Sequence, residues 1–241
     1  MAKNKKISNS PPKNIGIIMD GNGRWALQNS FKISKGHSKG VETVKEIVKE
    51  SINQNVESLT LFAFSNENWL RPKIEVNSIK NLILKSIDDQ LPELIEQKVK
   101  LNFFGNLEKF GKRITNKINY AQENTFFTKP NLNLNIALSY GGRQDILDTF
   151  KAILKDVKKG KVELDNISED LFFKYSYTPI DNIDLIIRTG GENRISNFLL
   201  YQIAYSEIFF TKKFWPDFSK NDLKRYINKF KKIDRRFGKR S

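Results

Sequence analysis

Short apolar segments alternate along this chain with longer segments of helical periodicity. The apolar segments are five to seven residues long and rich in β-branched and aromatic residues, which is typical of buried strands. They lie at Ile15–Met19, Leu59–Phe64, Val99–Phe104, Leu132–Leu138 and Ile183–Ile187, with a weaker candidate at Ile208–Phe210. Helical patterns occupy the intervals 38–53, 75–98, 108–124, 143–158 and 219–232. This alternation predicts an α/β fold with a mostly parallel central sheet of about six strands, flanked by helices on both faces.

The chain has 241 residues, which is long for one domain and short for two. No internal repeat, low-complexity segment or long linker divides it. We therefore predict a single domain over residues 1–241, with a flexible basic N-terminus at 1–13 and a basic C-terminal tail at 229–241.

Two residue types that often carry chemistry are scarce. The chain has no cysteine, which excludes disulfides, thiolate metal sites and cysteine nucleophiles. His37 is its single histidine, so a metal site built from several histidines is impossible. There is no apolar run of about 20 residues that would span a bilayer, and the basic N-terminus lacks the apolar core of a secretory signal. These patterns predict a cytoplasmic protein.

The formal net charge is +15, and much of the excess lies in the terminal segments Lys3–Lys6 and Lys229–Arg240. Nucleic acid, an anionic membrane surface and phosphorylated small substrates are all partners that such a charge fits. A drift in composition towards lysine accounts for it equally well. The charge alone leaves these interpretations open.

Polar loops follow each of the five stronger strands. These loops are Asp20–Trp25, Ser65–Arg71, Gly105–Asn106, Ser139–Arg143 and Arg188–Arg194. In open α/β sheets, ligands bind beyond the carboxyl ends of the parallel strands, where such loops meet. Since four of the loops contain arginine, the sequence predicts one site for an anionic ligand.

The residue types in these loops favour phosphate groups. Gly21 and Gly23 allow backbone N–H groups to approach phosphate oxygens, and Asp20 offers a hard oxygen ligand for Mg²⁺. Neither a Walker P-loop nor the dinucleotide fingerprint is present. The guanidinium fork matches phosphate, and the arginines of these loops that we single out are Arg24, Arg71, Arg188 and Arg194. Any one of these features has a plainer interpretation as a turn or a solvated charge, but together they predict a site for one or two diphosphates.

Other residues have both a structural and a functional interpretation. Asp88-Asp89 could hold a metal ion as in trans-type prenyl synthases, but the motif occurs once and Pro92 interrupts it, so a solvated helix face is the better interpretation. His37 begins a predicted helix and could donate to a phosphate oxygen. Trp25 and Trp69 either pack in the core or lie where an apolar substrate tail leaves the diphosphate pocket.

Several long motifs in these loops resemble those of the cis-prenyltransferase family, and of undecaprenyl diphosphate synthases in particular. They occur in one order over nearly the whole chain and read IIMDGNGRWA (17–26), GHSKG (36–40), LTLFAFSNENWLRP (59–72), LNLNIALSYGGRQDI (132–146), DLIIRTGGENRISNFLLYQIAYSEIFFT (184–211) and WPDF (215–218). The resemblance implies an Mg²⁺-dependent transferase that condenses isopentenyl diphosphate with an allylic diphosphate such as farnesyl diphosphate. The product it implies is a long-chain cis-polyprenyl diphosphate, undecaprenyl diphosphate, the precursor of the lipid carrier in cell-wall synthesis.

The resemblance also implies a role for each matching residue. Asp20 and Asn68 are the catalytic residues, Asn68 as proton acceptor, and Asp20 and Glu207 are the Mg²⁺ ligands. The remaining matches bind substrate, with Arg188, Arg194 and Ser196 holding isopentenyl diphosphate. This substrate-binding set comprises Gly21, Asn22, Gly23, Arg24, Trp25, Lys32, His37, Ser65, Asn66, Glu67, Trp69, Arg71, Arg188, Arg194, Ile195 and Ser196. One position departs from the family: Ile33 stands where arginine is usual, and Lys32 or Lys35 is the candidate replacement.

A growing hydrocarbon needs shelter from water, so the resemblance implies a hydrophobic tunnel. Candidates for its lining lie on the second and fourth strands and on the helix after Glu75, and they are Leu61, Ala63, Leu132, Leu134, Ile79, Leu82 and Ile83. Ordinary core packing is the alternative for each of them. We expect Leu132 to limit the length of the product.

The resemblance further implies a homodimer, and transient contact with the inner face of the membrane for product release. There are three alternatives: a related enzyme with another product length, a non-catalytic partner subunit, and a basic nucleic-acid-binding protein. A non-catalytic relative is expected to lack the Asp20 motif and the loop after the fifth strand, both of which are present. The arginines lie at strand ends with glycines and are not interleaved with aromatic residues on one face, so no nucleic-acid partner is predicted.

Overall fold

The computed structural model describes residues 10–235 and contains one six-stranded sheet in which every neighbouring pair is parallel. The strands are β1 Asn14–Ile18, β2 Ser58–Ser65, β3 Val99–Phe104, β4 Leu132–Tyr140, β5 Leu185–Arg188 and β6 Glu207–Phe210, in the spatial order β3-β4-β2-β1-β5-β6. The predicted single α/β domain with a parallel six-stranded sheet is confirmed. The fifth strand begins two residues later than predicted, because the Ile183 backbone N–H donates to the Gln202 carbonyl and not to a neighbouring strand.

Seven α-helices surround the sheet within the described residues. They are α1 Asn22–Gln28, α2 Ile33–Asn53, α3 Lys73–Glu96, α4 Lys112–Asn124, α5 Gly142–Lys158, α6 Glu169–Tyr175 and α7 Lys220–Phe230. Two 3₁₀ turns, Asn66–Leu70 and Leu107–Phe110, precede α3 and α4. The fourth helix begins later in the chain than its periodicity predicts, since Gly111 at φ 87° separates the 3₁₀ turn from α4.

Several helix predictions need correction. Residues 22–28 form α1 where the sequence predicts a loop, and α6 is an additional helix without a predicted counterpart. Helix α2 begins at Ile33, five residues earlier than expected, so His37 lies inside a helix and not at its start. The predicted helix over 219–232 is observed as α7, which includes residues 229 and 230 of the predicted C-terminal tail. The rest of both predicted flexible ends lies largely outside the described residues.

Alternation along the strands sends side chains into two apolar layers. On one face Ile17, Leu61 and Leu134 pack with Ile47 of α2 and Ile227 of α7. On the other face Ile18, Ala137 and Ile186 pack with the segment that contains Phe198 and Leu199. Burial on both faces explains why the strands read as continuous apolar runs. Over the part of the chain that is described, no helix is both long and apolar enough to cross a bilayer.

Candidate active site

A polar cleft of about 1000 Å³ lies at the carboxyl edge of the sheet, where the loops after β1, β2, β4 and β5 meet. The structure thus brings together most of the residues that the sequence nominates for the site. Those that line the cleft are Asp20, Gly21, Asn22, Gly23, Arg24, His37, Ser65, Glu67, Asn68, Arg71, Arg188, Arg194, Ile195 and Ser196. Five arginines and few carboxylates line one space, which suits an anionic ligand.

The carboxylate of Asp20 is held between two arginines. Its Oδ2 lies 2.9 Å from Arg188 Nη2, and its Oδ1 lies 3.0 Å from Arg24 Nη2. Burial by itself raises the pKa of Asp20, but the hydrogen bonds from Arg188 and Arg24 outweigh it and leave the pKa below its ordinary value. Asp20 is therefore ionised at neutral pH.

Arg188, the last residue of β5, is only 4% exposed and is fixed on several sides. Besides its contact with Asp20, its Nη1 donates to the Ser196 hydroxyl at 2.7 Å and to the Arg194 carbonyl. These bonds fold the loop after β5 back onto the end of the strand. The loop is thereby ordered by the same cation that pairs with Asp20.

Two glycines allow the loops to approach closely enough for these contacts. Gly21 has φ 107°, and a Cβ there would lie 2.5 Å from the Phe214 ring. Gly190 has φ 90°, and a Cβ there would lie 2.8 Å from Arg24 Nη2 and 3.0 Å from Asp20 Cγ. Since other residues rarely adopt such φ values and their side chains would collide here, the pairing of Asp20 with Arg24 requires glycine at 190.

A chain of charges extends from Asp20 to the rim of the cleft. Glu192 lies 3.5 Å from Arg24 and 2.6 Å from Arg194, so one carboxylate joins both arginines. Arg194 is exposed. Among the described residues, Glu192 is the carboxylate that pairs with Arg194, so an anion entering here meets a guanidinium at the surface.

His37 of α2 lines the cleft. Arg71, just before α3, and Glu75, in the first turn of α3, line it beside His37. Its Nε2 lies 3.7 Å from Glu75 Oε1, and Arg71 Nη1 donates to the same Glu75 oxygen at 3.0 Å. Burial and the nearby Arg71 charge lower the pKa of His37, although Glu75 opposes the shift. The imidazole is therefore neutral at pH 7, with Nε2 buried and without a hydrogen-bond partner among the described residues.

Several residues of the cleft lie outside the predicted set, among them Asn197 and Arg143. Asn197 donates to Glu67 Oε1 at 3.2 Å and accepts from the Arg143 backbone N–H at 2.9 Å, so it ties the loops after β2, β4 and β5 together. Burial raises the pKa of Glu67, but its hydrogen bonds, including the one from Asn197, and the Arg143 charge bring it below the ordinary value. The sequence carries a signal for Arg143, because it ends the Ser139–Arg143 loop, but none for the positive φ of Asn197 (63°).

An apolar cavity of about 160 Å³ adjoins the cleft, between the sheet and helices α2 and α3. The two spaces share four lining residues, Met19, Asn22, His37 and Ala63. Six of the seven residues proposed for a tunnel line this cavity, namely Leu61, Ala63, Ile79, Leu82, Ile83 and Leu134. The seventh, Leu132, is fully buried but does not line it.

The strand register explains where the cavity ends. Leu134 pairs with Leu101, and both line the cavity. Leu132 pairs with Val99, one row further from the cleft, and neither of these lines it. Leu132 thus belongs to the layer beneath the floor of the cavity.

Neither tryptophan proposed to meet the substrate tail lines the cleft. Trp25 Nε1 donates to Asp217 at 2.7 Å, and its ring packs against Phe31, so it fastens α1 to the C-terminal part of the chain. Trp69 Nε1 donates to Ser139 Oγ at 2.9 Å, and its ring packs against Phe64 and Phe110. These contacts favour a structural role for both tryptophans, and their predicted role beside the substrate tail stays a prediction.

Two polar residues of the predicted set also lie off the cleft. Asn66 accepts a hydrogen bond from Ser139 Oγ at 3.0 Å, which joins the loop after β2 to the end of β4. Lys32 is exposed and directly precedes α2. Its neighbour Ile33 does line the cleft, so the position that departs from the family faces the site.

The structure does not bring Asp20 and Glu207 of one chain together, so their joint role as Mg²⁺ ligands stays a prediction. Glu207 begins β6 and pairs with Leu185 at the start of β5, level with Ile15 of β1. Ile18, the last residue of β1, lies roughly 10 Å further along the strand direction than Ile15 at about 3.3 Å per residue, and Asp20 lies beyond that end. Among residues 10–235, no group of three or more His, Cys, Asp and Glu side chains could hold a metal ion. Asp88 forms an ion pair with Lys117 of α4, as expected for a solvated helix face.

Comparison with known proteins agrees with this geometry. Residues 18–238 match the family model described as putative undecaprenyl diphosphate synthase. An isoprenyl transferase from Clostridium perfringens is 45% identical over 235 residues, which cover 96% of this chain and 92% of that protein. The ditrans,polycis-undecaprenyl-diphosphate synthase ((2E,6E)-farnesyl-diphosphate specific) of Buchnera aphidicola subsp. Acyrthosiphon pisum is 43% identical, over 98% of this chain and 94% of that protein.

A solved structure shares the fold over nearly the whole chain. Lavandulyl diphosphate synthase from Lavandula x intermedia, in complex with dimethylallyl diphosphate, superposes with a TM-score of 0.91 at 29% identity. The match covers 95% of this chain and 99% of that one. With the family model, the sequence relatives and the fold in agreement, this chain belongs to the prenyltransferase family of undecaprenyl diphosphate synthases.

Proposed function

We propose that this chain condenses isopentenyl diphosphate with an allylic diphosphate, farnesyl diphosphate, and repeats the step to give a long cis-polyprenyl diphosphate. The observation that carries this proposal is the junction of two unlike spaces. An arginine-rich cleft around Asp20 shares Met19, Asn22, His37 and Ala63 with an apolar cavity. This arrangement suits a substrate with a diphosphate at one end and a hydrocarbon at the other. The relative from Buchnera, named as farnesyl-diphosphate specific, supports this choice of primer.

The chemistry that these residues support is a substitution at the allylic carbon. The C–O bond of the allylic diphosphate breaks, and the diphosphate leaves with the bonding electrons. Arg24 lies at the cleft and stabilises the departing anion through its guanidinium. The alkene of isopentenyl diphosphate supplies the electrons of the new C–C bond, and loss of a proton from it forms the new double bond.

Asn68 is our candidate acceptor for that proton. It lines the cleft, and its side-chain oxygen accepts a hydrogen bond from the Ser65 backbone N–H at 3.0 Å. This bond fixes the amide at the end of β2. Arg188 at the end of β5, with Arg194 and Ser196 on the loop that follows, forms the proposed site of isopentenyl diphosphate.

The residues present fit Mg²⁺, which typically takes one or two protein carboxylates and completes its shell with substrate phosphates and water. Asp20 is the carboxylate in position, since it is ionised and lines the cleft. When bound, the ion supplies positive charge to the departing diphosphate. Arg24 and Arg188 hold the Asp20 oxygens in place until the diphosphate arrives.

The apolar cavity receives the growing chain in this proposal. Each CH₂ group kept from water is worth about 0.8 kcal/mol, so a long product needs such a space. We propose undecaprenyl diphosphate, the precursor of the cell-wall lipid carrier, as the product. We also propose that the enzyme works in the cytoplasm at the inner face of the membrane, where such a product is released.

A homodimer is part of the proposal. Leu147 and Phe150 lie three residues apart on α5 and are both exposed, so they form an apolar strip that a second copy can cover. Light scattering after size exclusion tests this. Leu147→Asp with Phe150→Asp should give a monomer, and an unchanged mass would place the interface elsewhere.

The decisive experiment combines the protein with farnesyl diphosphate, radiolabelled isopentenyl diphosphate and Mg²⁺, followed by chromatography of the dephosphorylated products. A ladder that ends at a defined long chain supports the proposal, and EDTA should abolish it. Absence of any condensation product from folded protein would overturn it. Replacing farnesyl diphosphate with dimethylallyl diphosphate, the ligand in the lavandulyl diphosphate synthase structure, tests whether a short primer is preferred.

A further inference from the structure

Asn197 lies where the loops after β2, β4 and β5 meet. Its backbone carbonyl accepts a hydrogen bond from the Gly142 N–H at 2.7 Å, and its Oδ1 accepts one from the Arg143 N–H at 2.9 Å, both at the start of α5. Its Nδ2 donates to Glu67 Oε1 at 3.2 Å, in the turn after β2. Both polar atoms of the side chain are therefore engaged, each with a different loop.

The backbone around Asn197 has a conformation that few residues adopt. Ser196, Asn197 and Leu199 have φ values of 48°, 63° and 47°. Such left-handed conformations are uncommon for residues other than glycine, although asparagine adopts them more readily than most. They persist where surrounding contacts hold them. The hydrogen bonds between Asn197 and the start of α5 supply such contacts.

Successive side chains of this segment have different surroundings. The Ser196 hydroxyl accepts a hydrogen bond from Arg188 Nη1 at 2.7 Å, and Ser196 lines the cleft. Phe198 is fully buried, and its ring stacks on Phe62 with 4.6 Å between the ring centroids. Asn197 thus lies between a residue of the proposed isopentenyl diphosphate site and a residue of the core. A shift of Asn197 would move Ser196 with it.

The start of α5 is a fixed support for Asn197. A Cβ at Gly141 would lie 2.7 Å from Asn197 Nδ2, so glycine at this position lets the two segments touch. Asp145, in the first turn of α5, is buried, and its Oδ2 accepts hydrogen bonds from the Tyr140 hydroxyl at 3.0 Å and the Thr178 hydroxyl at 2.6 Å. These bonds join the first turn of α5 to the end of β4 and to the segment before β5. Asn197 therefore rests on a part of the structure that side-chain hydrogen bonds hold on two sides.

The contact with Glu67 extends this order to Asn68. Glu67 and Asn68 are neighbours in the 3₁₀ turn that follows β2, and Asn68 Oδ1 accepts a hydrogen bond from the Ser65 N–H at 3.0 Å. That bond ties the Asn68 side chain to the same short turn that carries Glu67. The hydrogen bond from Asn197 to Glu67 consequently helps to set the distance between Asn68 and Ser196.

The chemistry of isopentenyl diphosphate makes this distance important. The proton that leaves during condensation comes from the carbon next to the one that bears the diphosphate. The group that accepts the proton must therefore lie close to the groups that hold the diphosphate. In the proposed function these are Asn68 on one loop and Arg194 with Ser196 on another, and all three line the cleft. A small displacement of reacting groups from each other costs much of the rate.

We propose that Asn197 is a positioning residue that holds the isopentenyl diphosphate site at the correct distance from Asn68. It acts through the Arg143 backbone N–H and the Glu67 carboxylate, and not by contact with the reacting carbons. The inference deepens the proposed function and rests on it, since it concerns the same condensation.

Two substitutions suit the backbone conformation and change the side chain alone. Asn197→Gly accommodates φ 63° and keeps the backbone carbonyl, but it removes both side-chain hydrogen bonds. Asn197→Asp keeps an acceptor for the Arg143 N–H and replaces the donor to Glu67 with a like charge. Both should lower kcat about tenfold or more and raise KM for isopentenyl diphosphate, with KM for farnesyl diphosphate unchanged. Asn221→Asp, at an exposed position on α7, makes the same chemical change away from the cleft and is the control.

Deuterium on the carbon that loses the proton gives a readout that a purely structural role would not change. With isopentenyl diphosphate deuterated there, the isotope effect on kcat should be larger for both Asn197 variants than for the wild type, because proton removal becomes slower relative to the other steps. Asn197→Asp combined with Glu67→Gln allows a hydrogen bond of reversed direction, from the new amide to the new carboxylate. The double variant should therefore keep more activity than the product of the two single losses predicts.

The outcomes separate this inference from the function on which it rests. Wild-type protein that forms no condensation product would overturn both, and this is seen before any variant is compared. If the wild type is active and the Asn197 variants match Asn221→Asp in kcat, in both KM values and in the isotope effect, the inference alone is overturned. An equal rise of both KM values without a larger isotope effect would indicate a general loss of order, and would overturn it too.

Discussion

Arg188 Nη2 lies 2.9 Å from Asp20 Oδ2, although 168 residues separate the two along the chain. Arg188 is buried, whereas Asp20 lines the cleft. The carboxylate that we propose as a metal ligand is therefore held by a cation that solvent barely reaches. Loss of one partner leaves the other charge poorly compensated.

Asp20→Ala and Asp20→Asn should both lower kcat about a hundredfold or more, because the anionic oxygen that acts on the departing diphosphate is lost. Asn keeps an acceptor for Arg188, so we expect the Ala variant to melt at a lower temperature than the Asn variant. Single-turnover assays and calorimetry measure the two effects. Asp89→Asn, on the acidic pair of α3, is the control, and a similar loss of turnover there would revive the helical metal motif as the alternative.

The stability of the protein should depend on pH through His37. Its pKa is lowered in the folded state by burial and by Arg71, whereas the unfolded chain binds a proton near about pH 6.5. The unfolded state then holds more protons below that pH, so the free energy of unfolding should fall as pH drops from 7 to about 5. Urea denaturation across this range checks it. His37 is the only histidine, so His37→Gln should flatten the profile, and an unchanged slope would contradict the assignment.

Arg194→Ala should raise KM for isopentenyl diphosphate far more than KM for the allylic primer. Loss of a charged hydrogen bond costs about 1.5–3 kcal/mol. Arg194 is exposed and paired only with Glu192 among the contacts described, so the substitution should leave the fold intact. Initial rates with each substrate varied in turn measure the split. Arg113→Ala, at an exposed position on α4, is the control, and an equal rise of both KM values would remove the dedicated role.

Ile33→Arg should lower KM for farnesyl diphosphate. Ile33 lines the cleft and lies close to Gly23, so a guanidinium there would reach the region of the first diphosphate. Ile33→Gln, which is of similar length without charge, separates charge from polarity. Unchanged kinetics for the arginine variant would mean that Lys35 or Lys32 already supplies the contact, or that the position does not meet phosphate.

Leu132→Ala should shift the products towards longer chains. Leu134 and Leu101 form the closed end of the cavity, and Leu132 packs in the layer behind them. Truncation of Leu132 leaves space into which these two side chains can move, which lengthens the cavity. Conversely, Leu134→Trp should fill the cavity and shorten the products. Reversed-phase chromatography of dephosphorylated products reads both. Ile186→Ala, on the opposite apolar layer, should destabilise the fold without changing product length. If both β4 variants gave the wild-type distribution, the chain would end elsewhere.

The sequence is most informative where periodicity and length indicate the same element. The run from Val99 to Phe104 has the predicted bounds, because it is apolar at most positions and flanked by polar residues. Helix α1 was not predicted, because Gly21 and Gly23 suggest a turn. The helix begins at Asn22, and its buried residue is Ala26. Local propensity favours a loop there, and tertiary packing decides otherwise.

The site is predictable from the sequence as a set of loops but not as a set of contacts. Asp20 and Arg188 both lie at the carboxyl ends of parallel strands, so the rule that such ends converge at one edge suffices to bring them together. The sequence cannot predict that Glu207 lies apart from Asp20 within one chain, because the level of Glu207 in the sheet depends on the register of β6 against β5. The positions of the Trp25 and Trp69 side chains could not be predicted, because a place next to a polar loop does not determine whether an indole ring points into the cleft or away from it.

The four residues that line both the cleft and the cavity have a consequence for the kinetics of chain growth. In the proposed reaction, the bond-forming end of the substrate stays beside Asp20 while the tail advances one isoprene unit per cycle past Met19, Asn22, His37 and Ala63. In each cycle the intermediate either advances past these four residues or dissociates from the enzyme. The distribution of product lengths therefore depends on the ratio of these two rates in each successive cycle. A substitution among the four shared residues should change that ratio in every cycle, whereas a substitution at the closed end of the cavity should change it only in the last.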